Sequence, residues 1–239
     1  KLPLVPRDEL LAVTTYTFDI AWLELLLPLV RGATTVLLDH ASAVDPVRLA
    51  AAIDAGETRL MQATPSHWRM LVDSGWRGAE QLVIVCGGER MDTGLSEDLL
   101  ARGSAVWNLY GPTEATIWSS AWRVRAPGEG TSEPIGAPLA NSRLYVSDMV
   151  DANVPARPGV AAELCIGGVA LARGYRSNPA RTAERFVPDP WGRPGARMYR
   201  TGDVVAYSRE AGIRFLRRRD DQIKLHGHRI ELAEITGVW

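Results

Sequence analysis

The chain has 239 residues, 46% of them hydrophobic and 23% charged, with a formal net charge of −1. That is globular composition, long enough for a large core and for one or two domains. The near-neutral balance offers no basic field for nucleic acid. The longest apolar run, Leu23 to Val30, is broken by Glu24 and Pro28 and is too short to cross a bilayer, so no membrane contact is expected.

Cys86 and Cys165 sit in apolar, strand-like runs and read as buried reduced thiols, which suits a cytoplasmic protein without a secretory leader. The chain opens mid-fold, without a start methionine, and stops after an amphipathic run. Both ends read as cuts through a longer polypeptide.

In chain order, Asp8 to Ala12 reads as a short helix or turn and Ala12 to Tyr16 as a strand. Phe18-Asp19-Ile20-Ala21-Trp22 opens an apolar helix over 19–30, with Asp19 placed where an N-cap would sit. Thr34 to Leu38 is a β-branched strand ending in Asp39. Asp45-Pro46 supplies a cap and an N1 proline for a helix with Leu49 and Ile53 inward. Arg59 to Ala63 is a strand, and Thr64-Pro65-Ser66 begins a helix ending near Asp73. Leu82 to Cys86 is apolar throughout and predicts a central parallel strand, ending in the open turn Gly87-Gly88-Glu89. A helix over 96–102 and a strand from Ala105 to Tyr110 complete a βαβα rhythm. That rhythm predicts a doubly wound, mostly parallel α/β sheet.

After Ala126-Pro127-Gly128 the texture changes. Short strands, Arg143 to Ser147, Glu163 to Ile166, Val204 to Tyr207 and Ile213 to Leu216, alternate with Gly and Pro. They predict a smaller antiparallel, barrel-like subdomain. One helix, capped by Asn178 with Pro179 at N1, runs to about Phe186. From Arg209 to Arg229, seven basic and three acidic residues leave a balance of +4, which suits either a solvated face or an anion.

The stretch Asn108-Leu109-Tyr110-Gly111-Pro112-Thr113-Glu114 ends a strand in a Gly-Pro turn. In open α/β sheets, ligands sit beyond the carboxyl ends of strands. There Tyr110 could stack on a base, Thr113 could bond a phosphate and Glu114 could hold Mg²⁺ through oxygen. A plain strand followed by a helix cap, with Glu in the first turn, fits the same letters. Ser66-His67 is not a nucleophile pair, because adjacent helical residues point apart. The four histidines show no metal-ligand spacing with cysteine.

Six runs, taken together and in this order, resemble the adenylate-forming enzymes, and among them the adenylation domains of nonribosomal peptide synthetases. They are Phe18-Asp19-Ile20-Ala21; Cys86-Gly87-Gly88-Glu89; Asn108 to Glu114; Glu163 to Gly168 with Ala172-Arg173-Gly174-Tyr175; Tyr199-Arg200-Thr201-Gly202-Asp203; and Arg218 to Lys224 with Gly227 to Leu232. The resemblance implies three regions. Residues 1–126 would form a flavodoxin-like subdomain with the amino acid pocket. Residues 127–219 would form a β-rich subdomain completing the nucleotide site. Residues 220–239 would hold the hinge and the start of a truncated small domain.

By the same resemblance, Tyr110 stacks on adenine, Gly88 and Glu89 form the turn beside the base, and Gly111 belongs to the nucleotide loop. Thr113 and Glu114 are the catalytic phosphate and Mg²⁺ contacts. Asp203 grips both ribose hydroxyls and Arg218 lies on the ribose and phosphate side, with Arg217 and Arg219 solvated. Asp220 is the hinge and Gly227 lines the entry for phosphopantetheine. Asp19 would hold the α-ammonium of an amino acid. With it, Ile20, Leu23, Gln62, Val85, Gly87, Leu109, Ile117 and Trp118 would line the pocket, and Gln62 would satisfy itself on backbone or water. The pocket's bulk implies glycine, with alanine next.

The implied cofactors are ATP and Mg²⁺, and the implied partners are a peptidyl carrier bearing phosphopantetheine and condensation domains. His226 and Arg217 depart from the usual arginine and glycine. These two concern the hinge loop only. By the resemblance, a phosphate loop rich in Gly, Ser and Thr should lie before residue 1 and the catalytic lysine, which Lys224 does not match, after residue 239. Lacking both, the piece is expected to show little turnover by itself. The rival readings are a D-alanine or acyl-CoA ligase, which for the latter would not need Asp19, and a folded module without catalysis.

Overall fold

The computed structural model describes residues 2–126, 130–220, 222–225 and 228–231, the last two stretches as backbone. His226 and Gly227 lie outside the described residues. Chain contacts divide the protein into two compact units. The first comprises 1–109 and 123–133; the second comprises 110–122 and 134–239.

In the first unit the elements are β1 (Glu9–Ala12), α1 (Ala21–Arg31), β2 (Thr34–Leu37), α2 (His40–Ala43), α3 (Pro46–Ala55), β3 (Thr58–Ala63), α4 (Pro65–Asp73), β4 (Val83–Gly87), α5 (Thr93–Leu100) and β5 (Ala105–Tyr110). The strands lie in the order β2-β1-β3-β4-β5 and pair in parallel. Leu10, Leu60, Met61, Val83 and Ile84 are fully buried in this sheet, and Leu49 and Ile53 of α3 are buried as their spacing predicts. Trp68 of α4 is equally buried and donates its indole N–H to the Val85 carbonyl at 3.1 Å.

The helix starts follow capping chemistry. Asp45 accepts from the Val47 and Arg48 amides, Thr64 from His67, and Asp92 from Leu95. Asp92 explains why α5 begins three residues before its predicted start. Asp39, expected only as a strand end, caps the short α2 through Ser42. The first strand occupies Glu9–Ala12, where a helix or turn was expected, and the chain beyond Ala12 leaves the sheet.

Asp19 does not cap α1. The helix starts at Ala21, and the residue before it, Ile20, makes no side-chain cap. A tight turn satisfies the first amides instead, with Ala21 N–H on Phe18 O and Trp22 N–H on Asp19 O. Pro28 lies inside α1 without ending it. Its ring deprives the Glu24 carbonyl of a helical donor, and the Thr35 hydroxyl donates there instead, at 3.3 Å.

The chain passes into the second unit at the end of β5. A 3-10 turn over Thr113–Ala115 precedes β6 (Ser120–Val124), β7 (Ala137–Pro138), β8 (Ser142–Ser147), β9 (Ala161–Gly168), α6 (Pro179–Arg185), β10 (Phe186–Pro188), β11 (Arg197–Ser208), β12 (Gly212–Arg218), β13 (Gln222–Leu225) and β14 (His228–Glu231). Strands β10-β11-β9-β8 form an antiparallel sheet with β12 added on β11, and β13 pairs with β14. β9 and β11 run longer than their apolar cores suggest, because ladder bonds extend through Gly167, Gly168 and Arg197. β6, β7 and β10 carry no alternating pattern long enough to announce them. Ile135, Leu164, Val205 and Ile213 form the unit's core, with Tyr110 and Phe215 packed against it.

Leu60 is fully buried and Val47 is exposed. Leu60→Ala is expected to lower unfolding free energy by about 2–5 kcal/mol, and Val47→Ala by less than about 0.5 kcal/mol. Denaturant titration checks both.

Candidate active site

Of the nucleotide candidates, Tyr110, Gly111, Thr113, Glu114, Asp203 and Arg218 fall in the second unit, and Gly88 and Glu89 in the first. β11 carries a register shift against β9 between Arg200 and Val204. At this bulge Gly202 takes φ +74°, the left-handed region glycine favours. The Thr201 hydroxyl donates to the Leu164 carbonyl at 2.7 Å and accepts from the Asp203 amide at 2.9 Å. Gly202 N–H donates to Glu163, and its carbonyl accepts from Arg219 N–H. Thr-Gly-Asp is therefore a fixed bulge that presents Asp203, which is 7% exposed.

Both Asp203 oxygens have protein partners. Oδ2 accepts from the Tyr110 hydroxyl, and Oδ1 accepts from Arg218 Nη1 at 2.7 Å. The same Arg218 nitrogen donates to the Thr201 carbonyl, while Nε and Nη2 grip both oxygens of Asp220 at 2.8 and 2.6 Å. Arg185 also reaches Asp220, at 3.4 Å. Burial pulls the Arg218 pKa down, but hydrogen bonding and charge from Asp220 and Asp203 outweigh it and raise the pKa above its ordinary value. Burial, then the Asp203 charge, hold the Tyr110 phenol protonated well above its usual range. Tyr110, Asp203, Arg218 and Asp220 are thus one hydrogen-bonded chain.

Arg219, expected to be solvated, donates to buried Glu163 at 3.3 Å, where Arg200 also binds at 2.6 Å. Arg217 donates to the Arg218 carbonyl. Within the basic stretch, Arg218 and Arg219 are thus ion-paired inside this unit.

The turn after Tyr110 is strained. Thr116 and Ile117 are β-branched yet take φ +59° and +70°. Such residues in this region cost about 1–3 kcal/mol each and cluster at functional sites. Gly111 permits the turn, since a Cβ there would lie 2.2 Å from the Ile117 carbonyl oxygen and 2.7 Å from Trp118 Cα. Thr113 is exposed, whereas Glu114 is buried, at 6% exposure, and Trp118, four residues on, is also buried. Tyr175 donates its hydroxyl to Glu114 Oε1 at 2.8 Å.

Of the amino acid candidates, Asp19, Ile20, Leu23, Gln62, Val85, Gly87 and Leu109 lie in the first unit, and Ile117 and Trp118 in the second. Gln62 registers with Val85, and Gly87 with Leu109. By strand alternation these four share one sheet face. Gln62 Nε2 donates to the Ile20 carbonyl at 2.9 Å and to Glu24 Oε1 at 3.0 Å. Backbone therefore satisfies Gln62, as expected, but a carboxylate shares it. Leu23 is half-buried and Asp19 partly exposed. No described residue hydrogen-bonds or ion-pairs with the Asp19 carboxylate. Gly88 takes φ +88° at the end of β4. Glu89 is committed to the start of α4, accepting from the Ser66 amide and hydroxyl at 3.1 and 2.6 Å.

Glu24, Glu163 and Tyr175 carry these networks, and sequence reasoning gave none of them a role. Glu24 was legible as a charge inside an apolar helix, four residues after Ile20. Tyr175 was legible within Ala-Arg-Gly-Tyr. Glu163, at the head of an apolar strand, gave no sign of its three partners.

Among the described residues, no group of three His, Cys, Asp or Glu side chains could enclose a metal. The residues fit Mg²⁺ in another mode, through one buried carboxylate, Glu114, completed by phosphate oxygens and water. Both cysteines are free and buried. Burial and Glu163 push the Cys165 thiol up to about 12. No described helix is long and apolar enough to cross a membrane.

Residues 2–176 match the family model described as AMP-binding enzyme, and the chain belongs to that family. It is 46% identical over 232 residues to the dimodular nonribosomal peptide synthase of Bacillus subtilis, covering 97% of this chain and 10% of that one. Among solved structures it is similar to holo-AB3403, a four-domain nonribosomal peptide synthetase bound to AMP and glycine. That match has a TM-score of 0.85 and 42% identity over 100% of this chain and 18% of the other. It is also similar to the Vibrio cholerae adenylation domain AlmE in complex with glycyl-adenosine-5′-phosphate, with a TM-score of 0.89 and 26% identity over 99% of this chain and 45% of that one. The chain thus spans a tenth of its curated relative's length.

Burial raises the Glu24 pKa above its ordinary value, although Thr14, Gln62 and Val13 donate to it. A carboxyl raised on folding stabilises most below the ordinary carboxylate range, and that contribution is lost as pH rises through the range to the folded pKa. The unfolding free energy of the parent minus that of Glu24→Gln is therefore expected to fall between pH 4 and pH 7. A difference that grows with pH contradicts this.

Proposed function

We propose that this chain is the amino-acid-activating part of a longer nonribosomal peptide synthetase. It joins an amino acid carboxylate to the α-phosphate of ATP, releasing pyrophosphate, and the aminoacyl group then passes to a phosphopantetheine thiol on a carrier domain. The observation carrying this reading is the Tyr110–Asp203–Arg218–Asp220 chain, set in the same unit as buried Glu114. Membership of the AMP-binding family supports it, as do relatives named as peptide synthetases.

In this reading Asp203 accepts from the two ribose hydroxyls, since an ionised carboxylate has acceptor sites beyond the two in use. Arg218 keeps it ionised and oriented. Tyr110 offers its ring to the base. Thr113, exposed on its turn, donates to phosphate. Mg²⁺ held by Glu114 would neutralise charge on the phosphates. No residue acts as a covalent nucleophile; the protein contributes positioning and charge stabilisation. Carrier and condensation domains are the partners, and cytoplasm is the compartment.

The substrate we propose is glycine. Asp19 takes the ammonium, and Ile20, Leu23, Val85 and Leu109 of the same unit supply bulk that limits side-chain space. Two similar solved structures carry glycine or its adenylate. Rejection of alanine then rests on overpacking, about 1–3 kcal/mol, which is roughly tenfold or more in rate.

Pyrophosphate exchange by the full-length protein across all amino acids tests this. Glycine is expected to exceed alanine at least about tenfold. Asp19→Asn is expected to lower glycine kcat/KM by at least about thirtyfold, the cost of unpairing a buried ammonium. Exchange that prefers an acid lacking an amine, or that ignores Asp19→Asn, contradicts the reading.

A further inference from the structure

We propose that Tyr175 is a positioning residue for Glu114, its phenol fixing the carboxylate that receives the divalent cation accompanying ATP. The inference rests on the adenylating reading for the role of Glu114, and on this structure for the role of Tyr175.

The segment before Tyr175 is fastened to the Glu114 turn along its length. Ala172 N–H donates to the Glu114 carbonyl at 2.8 Å, and the Thr116 hydroxyl donates to the Ala170 carbonyl at 2.6 Å. Arg197 holds the Ala172 and Arg173 carbonyls from the other side, at 3.1 and 2.9 Å. Gly174 then takes φ +147° and lies so close to Thr182 that a Cβ would meet Thr182 Cγ2 at 2.3 Å. The close approach lets the Thr182 hydroxyl accept from Tyr175 N–H at 2.9 Å. The ring is set edge-on against Phe186, with centroids 5.7 Å apart, and under the Arg181 guanidinium. Backbone, ring and hydroxyl are each held, and the hydroxyl ends 2.8 Å from Glu114 Oε1.

A buried carboxylate has a choice of rotamers. A neutral phenol donating to one oxygen removes that freedom. It adds no positive charge to compete with a metal. That is the role of an outer-shell partner at a metal carboxylate, whose removal typically weakens metal affinity 10- to 100-fold.

The test is a binding cycle on the full-length protein. ATP dissociation constants are measured by calorimetry with Mg²⁺ and with EDTA for the parent, Tyr175→Phe and Glu114→Gln. The ratio of the EDTA value to the Mg²⁺ value reports the coupling of metal to protein. Tyr175→Phe keeps the ring and its packing. It is expected to lower that ratio about tenfold and to leave the EDTA value within twofold of the parent. A merely structural role would shift both values together and leave the ratio unchanged, which overturns the proposal. If Glu114→Gln collapses the ratio and Tyr175→Phe does not, Tyr175 alone loses its role. If neither moves it, the metal role of Glu114 falls, and this proposal with it.

Discussion

Arg218 and its two carboxylates hold the second unit's candidate site together. The guanidinium is planar and permanently charged, and three of its nitrogens are directed at fixed acceptors: Asp203, Asp220 and the Thr201 carbonyl. Removing one member would strand a partly buried charge, a loss of about 3–5 kcal/mol in comparable pairs. Lysine would not restore it, because one ammonium cannot meet two carboxylates in a bidentate fork. Each other feature of this site adds to that clamp. The bulge at Gly202 aims Asp203, Tyr110 donates to its second oxygen, and Asp220 ties the end of β12 to the same guanidinium.

The first unit holds its polar candidates by a different device. Glu24 accepts four donors, and among the described residues none of its hydrogen-bond partners is a cation. It carries the desolvation of a carboxylate at 1% exposure and uses it to pin the chain after β1, through the Val13 and Thr14 amides. Through Gln62 it also reaches the Ile20 carbonyl, beside Asp19. A charge buried at that cost is specific to one arrangement of the loop before α1, and an apolar residue would leave four donors unmet.

Much of the fold was legible because local and global signals agree in it. Asp45-Pro46, Thr64-Pro65 and Asn178-Pro179 mark helix starts by chemistry that contacts elsewhere do not override. The apolar run ending at Cys86 reads best as a strand covered on both faces, and it is one. The misreadings have specific causes. Asp19 looked like a cap because single residues do not reveal that the preceding turn already satisfies the helix amides. The strand at Glu9 was hidden by its charge and shortness. Among the candidate groups, motif residues stood out as types, but their pairing did not. Arg219 looked solvated because its partner, Glu163, lies 56 positions earlier and is buried in another strand. Glycines were informative once their surroundings were known: Gly111 and Gly202 are needed for close approach and for positive φ.

The central claim is that Asp203, held by Tyr110 and Arg218, is the carboxylate that recognises a ribose. Calorimetric binding of AMP, 2′-deoxy-AMP and 3′-deoxy-AMP to the full-length protein tests it most directly. Loss of either hydroxyl is expected to weaken binding roughly tenfold or more, the worth of a hydrogen bond to a charged acceptor. In Asp203→Asn that preference should shrink to near unity. Equal affinity of the parent for all three nucleotides would contradict the account.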